Sequence, residues 1–548
     1  MMKRLMYLVL VVTLLLGLAM EAGCRPVPTP TPTPLPPTPA PPTPTPAVAV
    51  RPLVLVEGTE AITLDPHYND FGYSQRPQRA AYESLVNYEE TPEGEVKLVP
   101  MLAKSWEISP DAKVVTLHLQ EGVKFSDGTP FNAEAVKYNF ERIFALNMQP
   151  AGRLPKFESM EVIDEHTLRI TLEKPFAPIM DALAKPLMVS PTAAREHEVE
   201  GDWGHKWLDD HMVGTGPYLL KEWVRGQYIS FVKNPNYWRG WEGNHLEGIV
   251  IKYVKEAATR RMMLETGDAD IALGISFEDL DPLSKAPGVV VEQRNAANLY
   301  MLKLRFRGPL ADKRVRQALQ YAFDYKAFIE GVLNGRARYP RGPLPSTVWA
   351  FDETLPEFKQ DLDKAKALLA EAGYPEGGFS LVVQIIPPFG WFQPMEAAIL
   401  KENLAKLGIE VTIDEKADAP TYIGALKELE TGPDIYAWTF ANSLNDPEDN
   451  FRREYYTGLQ FGKGGTNGIF YSNPRVDELI DKGVSIASRE ERRPIYEEIQ
   501  RILREDAPAI FVAEPYYYLC RREGVQDLRW HPFAGNNGHD WWYVWLSE

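Results

Sequence analysis

The chain has 548 residues, with 59 lysine and arginine against 76 aspartate and glutamate, and a formal net charge of −17. That acidic balance excludes nonspecific nucleic-acid binding, which needs a basic surface. Its 44% hydrophobic and 25% charged residues are those of an ordinary globular protein, and two cysteines cannot form a disulfide framework, so core burial must supply the stability.

In chain order, Lys3 and Arg4 precede an apolar stretch, Leu5 to Met20. At about 16 residues it falls short of the roughly 20 that a spanning helix needs, and reads as the core of an export signal over residues 1–23. Ala22-Gly23 then precedes a lone Cys24. The arrangement resembles a bacterial lipoprotein signal, cleaved before the cysteine, which implies Cys24 as the lipidation residue. Glu21 departs from the aliphatic residue such signals carry there. Residues 24–50 form the tether: from Pro26 to Pro46, twelve of 21 positions are proline and six threonine. Proline closes this segment to helix and sheet, and polyproline II gives it a reach of roughly 65 Å. The expected location is the outer face of the cell membrane or the periplasm, with the body held off the membrane by this spacer.

The body alternates strand and helix signals. Val114 to Leu119, Leu168 to Leu172 and Ile229 to Val232 read as strands. Gly128-Thr-Pro-Phe-Asn132 is a turn into a helix with the stripe Val136, Phe140, Ile143 and Phe144. Ala365, Leu368, Leu369 and Ala372 make a second stripe, closed by Gly373. Leu400, Leu404 and Leu407 end at Gly408, and Ile409-Glu-Val-Thr-Ile413 follows with period-two alternation. Asn473-Pro474 starts one further helix and the capping box Ser488-Arg-Glu-Glu491 another. Helix–Gly–strand units of this kind predict an α/β fold.

Chemistry-bearing patterns are sparse. His197, His205 and His211 match no zinc spacing and read as part of a solvated acidic face, so no metal and no cofactor are expected. Neither a Gly-x-Ser-x-Gly elbow nor His-Glu-x-x-His occurs; no catalytic residue is assigned and no enzyme is expected. Cys520, after Tyr516-Tyr-Tyr-Leu519, reads as a small buried hydrophobe in a strand.

Five blocks then carry a resemblance. They are Thr63-Leu-Asp-Pro66; Tyr82-Glu-Ser-Leu-Val86 with Leu102-Ala-Lys-Ser-Trp106 and Gly122-Val-Lys-Phe-Ser-Asp-Gly-Thr-Pro130; Gly214-Thr-Gly-Pro-Tyr218 with Asn234-Pro-Asn-Tyr-Trp238; Asp312-Lys-Arg-Val-Arg-Gln-Ala-Leu319; and Asp363-Lys-Ala-Lys-Ala-Leu-Leu-Ala-Glu-Ala-Gly373. In this order they resemble the large extracytoplasmic solute-binding proteins of ABC transporters, family 5, which includes oligopeptide-, dipeptide- and nickel-binding members. By themselves, Asp127-Gly128 and Gly214-Thr-Gly-Pro217 read as turns in which glycine supplies φ > 0.

The resemblance implies a two-lobed, type II periplasmic-binding-protein-like α/β fold with an extra subdomain in lobe one. Lobe one would hold residues 51–293 plus 515–548 and lobe two residues 294–514, with chain crossings near Val289 to Leu304 and Ile510 to Leu519. A solute would bind between the lobes, and the closed monomer would deliver it to a membrane permease. Relatives that bind peptides anchor the ligand amino terminus with an aspartate in a loop corresponding to Trp438-Thr-Phe-Ala-Asn-Ser-Leu-Asn-Asp-Pro447. Here Ala441 occupies the ungapped position, flanked by Asn442, and the next carboxylate is Asp446. From segments that reach the cleft in relatives, the ligand-binding candidates are Tyr68, Phe71, Trp349, Trp391, Phe392, Trp438, Phe440, Asn442 and Asp446. The leading expectation is a peptide solute. Because 13 Trp, 25 Tyr and 23 Phe provide faces on which sugar rings stack, an oligosaccharide is the alternative, followed by a metal or metallophore.

Overall fold

A computed structural model describes residues 50–69, 71–91, 95–530, 532–533 and 540–548. The signal segment, Glu21, Cys24 and the tether up to residue 49 lie outside the described residues. Local signals translate directly into elements. The alternating stretch forms strand Val114–Leu119. Asn132 caps helix Ala133–Leu146 by accepting from Ala135 N at 3.0 Å, and Ser488 caps Arg489–Asp506 by accepting from Glu491 N at 3.4 Å. Asn473 likewise caps Pro474–Val484. No helix among the described residues is long and apolar enough to cross a membrane.

One path of paired strands runs through both lobes of the α/β fold. On the second-lobe side it passes Glu410–Glu415, Ser380–Ile385, Ile435–Ala441 and Asn298–Leu304; on the first-lobe side Ile271–Ala272, Leu53–Glu57, Gly248–Tyr253, Tyr228–Lys233 and Tyr218–Val224. The 14-residue strand Ala509–Arg522 joins them. Its first half pairs antiparallel with Asn298–Leu304, and its second half with Val289–Asn295 and Ile271–Ala272. Cys520 is buried in that second half, and burial pushes its thiol up to about 12.

The extra subdomain is a four-stranded antiparallel sheet, Ala103–Ile108, Val114–Leu119, Thr167–Leu172 and Phe157–Asp164. Val136, Phe140 and Ile143 of the Asn132-capped helix pack on Val115, Leu117, Leu168 and Ile170. The same buried cluster continues into Phe451, Tyr455, Ile480 and Ile499 of the second lobe's helices. Backbone joins them as well, Ala177 N donating to Val484 O at 2.7 Å.

Two of the sequence blocks converge on one carboxylate. Buried Glu83 accepts from Thr215 Oγ1 at 2.8 Å, Tyr237 OH at 2.6 Å and Trp238 Nε1 at 2.9 Å. Gly214 and Gly216 serve a different purpose from the one read in sequence. Gly128 has φ +85°, but neither Gly214 nor Gly216 has a positive φ. A Cβ on Gly214 would stand 2.2 Å from Ala81 O, and one on Gly216 2.5 Å from the Ala81 carbonyl carbon. These glycines allow close approach to the end of helix Gly72–Ala81, where Gly216 N donates to Ala81 O at 2.9 Å. The histidines also differ from a plain solvated face. His197 and His211 stack on either side of the Trp207 ring at 4.0 and 4.2 Å. His205 reaches the buried Asp65–Arg142 pair, its Nδ1 2.8 Å from Asp65 Oδ2.

Burial outweighs the three donors on Glu83 and raises its carboxyl to about 7. The fold therefore binds this proton more tightly than the unfolded chain. The resulting stabilisation is present below the usual carboxylate range and is lost as pH rises through about 7. Denaturation of wild type and Glu83→Gln from pH 5 to 8 should show the wild type losing stability relative to the variant. A constant difference between the two would refute this assignment.

Candidate functional site

The residues Ile435-Tyr-Ala-Trp-Thr-Phe-Ala441 alternate β-branched, aromatic and small side chains and form a strand. One edge pairs fully with Asn298–Leu304, from Asn298↔Ala441 to Leu304↔Ile435. Asn442 N donates to Ala297 O and Arg305 N to Asp434 O, both at 2.9 Å. That phase turns the backbone groups of Tyr436, Trp438 and Phe440 toward the partner strand, and those of Ala437, Thr439 and Ala441 toward the other edge. There the neighbouring strand Ser380–Ile385 pairs only through Val383↔Ile435 and Gln384↔Tyr436. From Ala437 to Ala441 no strand pairs with this edge among the described residues.

Polar groups gather around that open edge. The Tyr422 hydroxyl donates to Ala437 O, and Gln384 Nε2 donates to Tyr422 O at 3.1 Å. Gln384 Oε1, Trp438 Nε1, the Tyr436 hydroxyl and both polar side-chain atoms of Asn442 are buried without a partner among the described residues. Buried polar atoms are nearly always satisfied, so these unpartnered atoms on or next to the strand are candidates to meet a polar guest. On the strand face that carries Thr439, Tyr300 stacks on Phe392 at 3.9 Å. Tyr300 also lines a cavity of about 610 Å³ with Phe277, Trp391, Tyr516 and Tyr518, between the 274–278 segment and Gly331.

The nine candidates fall into separate groups. Trp438, Phe440 and Asn442 lie on or just past the open-edged strand, although Phe440 is buried in the second-lobe core beneath Arg453. Trp391, 53% exposed, meets Phe277 edge-on at 5.9 Å in the cavity, whereas Phe392 is buried beside it. Trp349 and Asp446 touch each other, Trp349 Nε1 donating to Asp446 Oδ2 at 3.2 Å. Asp446 is fully buried and internally satisfied: it caps helix Pro447–Tyr455 and accepts from Arg492 Nη2 at 2.7 Å. Tyr68 stacks on His205 at 4.3 Å and Phe71 on Tyr73 at 5.5 Å, within the first lobe. The sequence candidates do not include Tyr300, Gln384 or Tyr422. Tyr300 has a visible signal, an aromatic inside a β-rich crossing segment; the other two are joined to the edge by tertiary contacts alone.

The Asp446–Arg492 pair is buried on both sides, at 0% and 2% side-chain exposure. Asp446→Asn would strand the guanidinium, at a cost of about 3–5 kcal/mol. Urea denaturation should show that loss, and a change below about 1 kcal/mol would mean that the pair is solvated.

Comparison with known proteins agrees with this architecture. The family model described as bacterial extracellular solute-binding proteins, family 5 Middle, matches residues 97–461. The chain is 30% identical over 488 residues to the "Probable D,D-dipeptide-binding periplasmic protein DdpA" of Escherichia coli, covering 88% of this chain and 92% of that protein. It is 31% identical over 517 residues to heme-binding protein A of Haemophilus influenzae, covering 90% and 89%. Among solved structures, the periplasmic binding protein DppA of Helicobacter pylori in complex with peptide STSA superposes with a TM-score of 0.75 at 26% identity, covering 90% of this chain and 98% of that one. A two-lobed fold crossed by one shared strand, with an open strand edge at the second lobe, thus accompanies a match across most of the chain, and the chain belongs to the family 5 bacterial extracellular solute-binding proteins.

Proposed function

We propose that the protein is the extracytoplasmic capture component of an ABC importer and binds a peptide or peptide-like solute between its lobes. The open edge from Ala437 to Ala441 carries this reading. An extended peptide supplies N–H and C=O groups that pair with those of Thr439 and Ala441, Ala437 O already accepting from Tyr422, and adds as a further strand. The buried side chains of Asn442 and Gln384 and the Trp438 indole N–H offer polar partners beside it. Relatives named for dipeptide and glutathione binding, and a solved relative holding a peptide, support the same class.

The lobes would hinge at the two crossings, with residues 51–293 plus 515–548 as lobe one and 294–514 as lobe two. Closure around the solute is a population shift set by its greater affinity for the closed state. The closed monomer would then dock on a membrane permease, and the protein performs no chemistry on its cargo. Residues 1–23 would direct export, with lipid on Cys24 and the Pro/Thr tether setting the working distance from the membrane. Trp391, Tyr300 and Phe277 around the cavity favour oligosaccharide as the second reading, since aromatic faces stack on sugar rings.

Thermal-shift measurements against di- to hexapeptides and α- or β-linked oligosaccharides separate the two. A bound peptide at about 100 times its Kd adds about 2.7 kcal/mol of stability. Backbone N-methylation of that peptide at the edge-pairing positions should weaken it roughly tenfold, because each lost hydrogen bond leaves a buried group unsatisfied. Stabilisation by glycans alone would overturn the peptide reading.

A further inference from the structure

Asn445 lies between strand Ile435–Ala441 and helix Pro447–Tyr455, in the loop that leaves the open edge. It is 4% exposed, and four segments reach it. Its backbone N donates to the Tyr88 hydroxyl, and its backbone O accepts from Arg489 Nη2, both at 3.2 Å. In its side chain, Nδ2 donates to Val96 O at 3.0 Å and Oδ1 accepts from Trp349 N at 3.4 Å. Asp181, in helix Ile179–Leu183, closes a circuit. It accepts from the Tyr88 hydroxyl at 2.9 Å and from Arg489 Nη2 at 3.3 Å. Asn445, Tyr88, Asp181 and Arg489 thus form a ring of hydrogen bonds in which each residue touches the next.

The ring spans the division of the chain. Tyr88, Val96 and Asp181 fall within residues 51–293, and Trp349, Asn445 and Arg489 within 294–514. The bonds from Asn445 N to Tyr88, Asn445 Nδ2 to Val96 and Arg489 to Asp181 therefore all cross between the proposed lobes. Packing along that crossing is interrupted. The buried cluster runs through it, but cavities flank the contact. One of about 830 Å³ is lined by Phe176, Leu444 and Val484, and one of about 280 Å³ by Val96, Trp349, Asn445 and Arg489.

The cation of the ring also differs from those of the fixed pairs. The side chains of Arg142, Lys303 and Arg492 are at most 2% exposed, whereas that of Arg489 is 42% exposed. Separating a fully buried pair strands a charge. Arg489 can exchange Asp181 for water instead, and a partly exposed pair is made and broken at small net cost. Such a tie suits a contact that opens and re-forms.

We propose that this ring is a latch, made as the lobes close on the solute and broken when they part, which ties the loop after the solute strand to the extra subdomain. The inference rests on the hinged two-lobe reading and names what holds the closed form. Residues 442–444 separate the ring from the open edge, so it selects a conformation and not a solute chemistry. Its contribution exists only in the closed form. It therefore slows release and leaves association unchanged.

Stopped-flow kinetics and small-angle scattering on the full chain test this in wild type, Tyr88→Phe, Arg489→Gln and the double variant. The probes are the di- to hexapeptides and oligosaccharides of the thermal-shift panel. Tyr88→Phe leaves Asn445 N and Asp181 short of a buried partner, and should release a bound peptide roughly tenfold faster. Arg489→Gln removes a partly exposed pair and should speed release about threefold. Neither should slow association. The double variant should fall short of the product of the two effects, since both act on one ring. Arg489→Lys, which keeps the charge without the planar donor, should lie between wild type and Arg489→Gln. Should Tyr88→Phe fail to fold, the two Arg489 variants decide alone. Unchanged release in folded variants would mark a fixed contact, overturning the latch and leaving the peptide reading intact. Binding and faster release confined to glycans would sink the peptide reading and uphold the latch. If no probe binds, the peptide reading falls and scattering decides the latch: a larger radius of gyration in the variants upholds it, and equal radii overturn it.

Discussion

Everything in the molecule is hung on the strand Ala509–Arg522, which the two lobes share. Its hydrogen bonds pass from Asn298–Leu304 to Val289–Asn295 within a few residues, so neither lobe's sheet has a separate edge there. The handover is marked twice. Register shifts between Tyr300 and Met301, and Pro515 interrupts the donors of the long strand. A ladder with a bulge and a missing donor bends more readily than one with continuous pairing. Ala296 and Ala297 lie opposite that interruption, small residues between two fully paired stretches.

Around that axis the protein treats buried charge in two ways. Asp65, Glu454 and Asp446 each have a basic partner within 2.7 Å, and each pair joins elements distant in sequence. Such pairs add less stability than their number suggests, because desolvation offsets much of the attraction. They do fix which elements lie together. Glu83 performs the same task without a cation, drawing a threonine, a tyrosine and a tryptophan from one further sequence block onto one carboxyl. Glu396 breaks the pattern: it is buried, and neither of its carboxylate oxygens has a partner among the described residues.

The legible part of the sequence was periodicity and punctuation. Asn132, Asn473 and Ser488 all cap the helices they announce, and Val114 to Leu119 is a strand with the spacing read from it. These signals act over three or four residues, so a linear reading captures them. Gly214 and Gly216 were visible as unusual, but their purpose is contact with Ala81, some 130 positions earlier. Similarly, Trp349 and Asp446 are ligand candidates in the sequence, and the fold brings them into contact with one another and with Arg492. Aromatic and acidic side chains in loops look the same in sequence whether they face a guest or a neighbour.

By itself, then, the sequence determined the α/β alternation, the helix boundaries and the blocks that point to a two-lobed binder, because these depend on local geometry and residue order. Tertiary structure alone decided which polar groups are already satisfied. Satisfaction is a property of pairs brought together by folding: Arg492 closes Asp446, while nothing among the described residues closes Glu396 or Asn442. The open edge from Ala437 to Ala441 is of the same kind, since a strand shows no free edge until its neighbours have been placed.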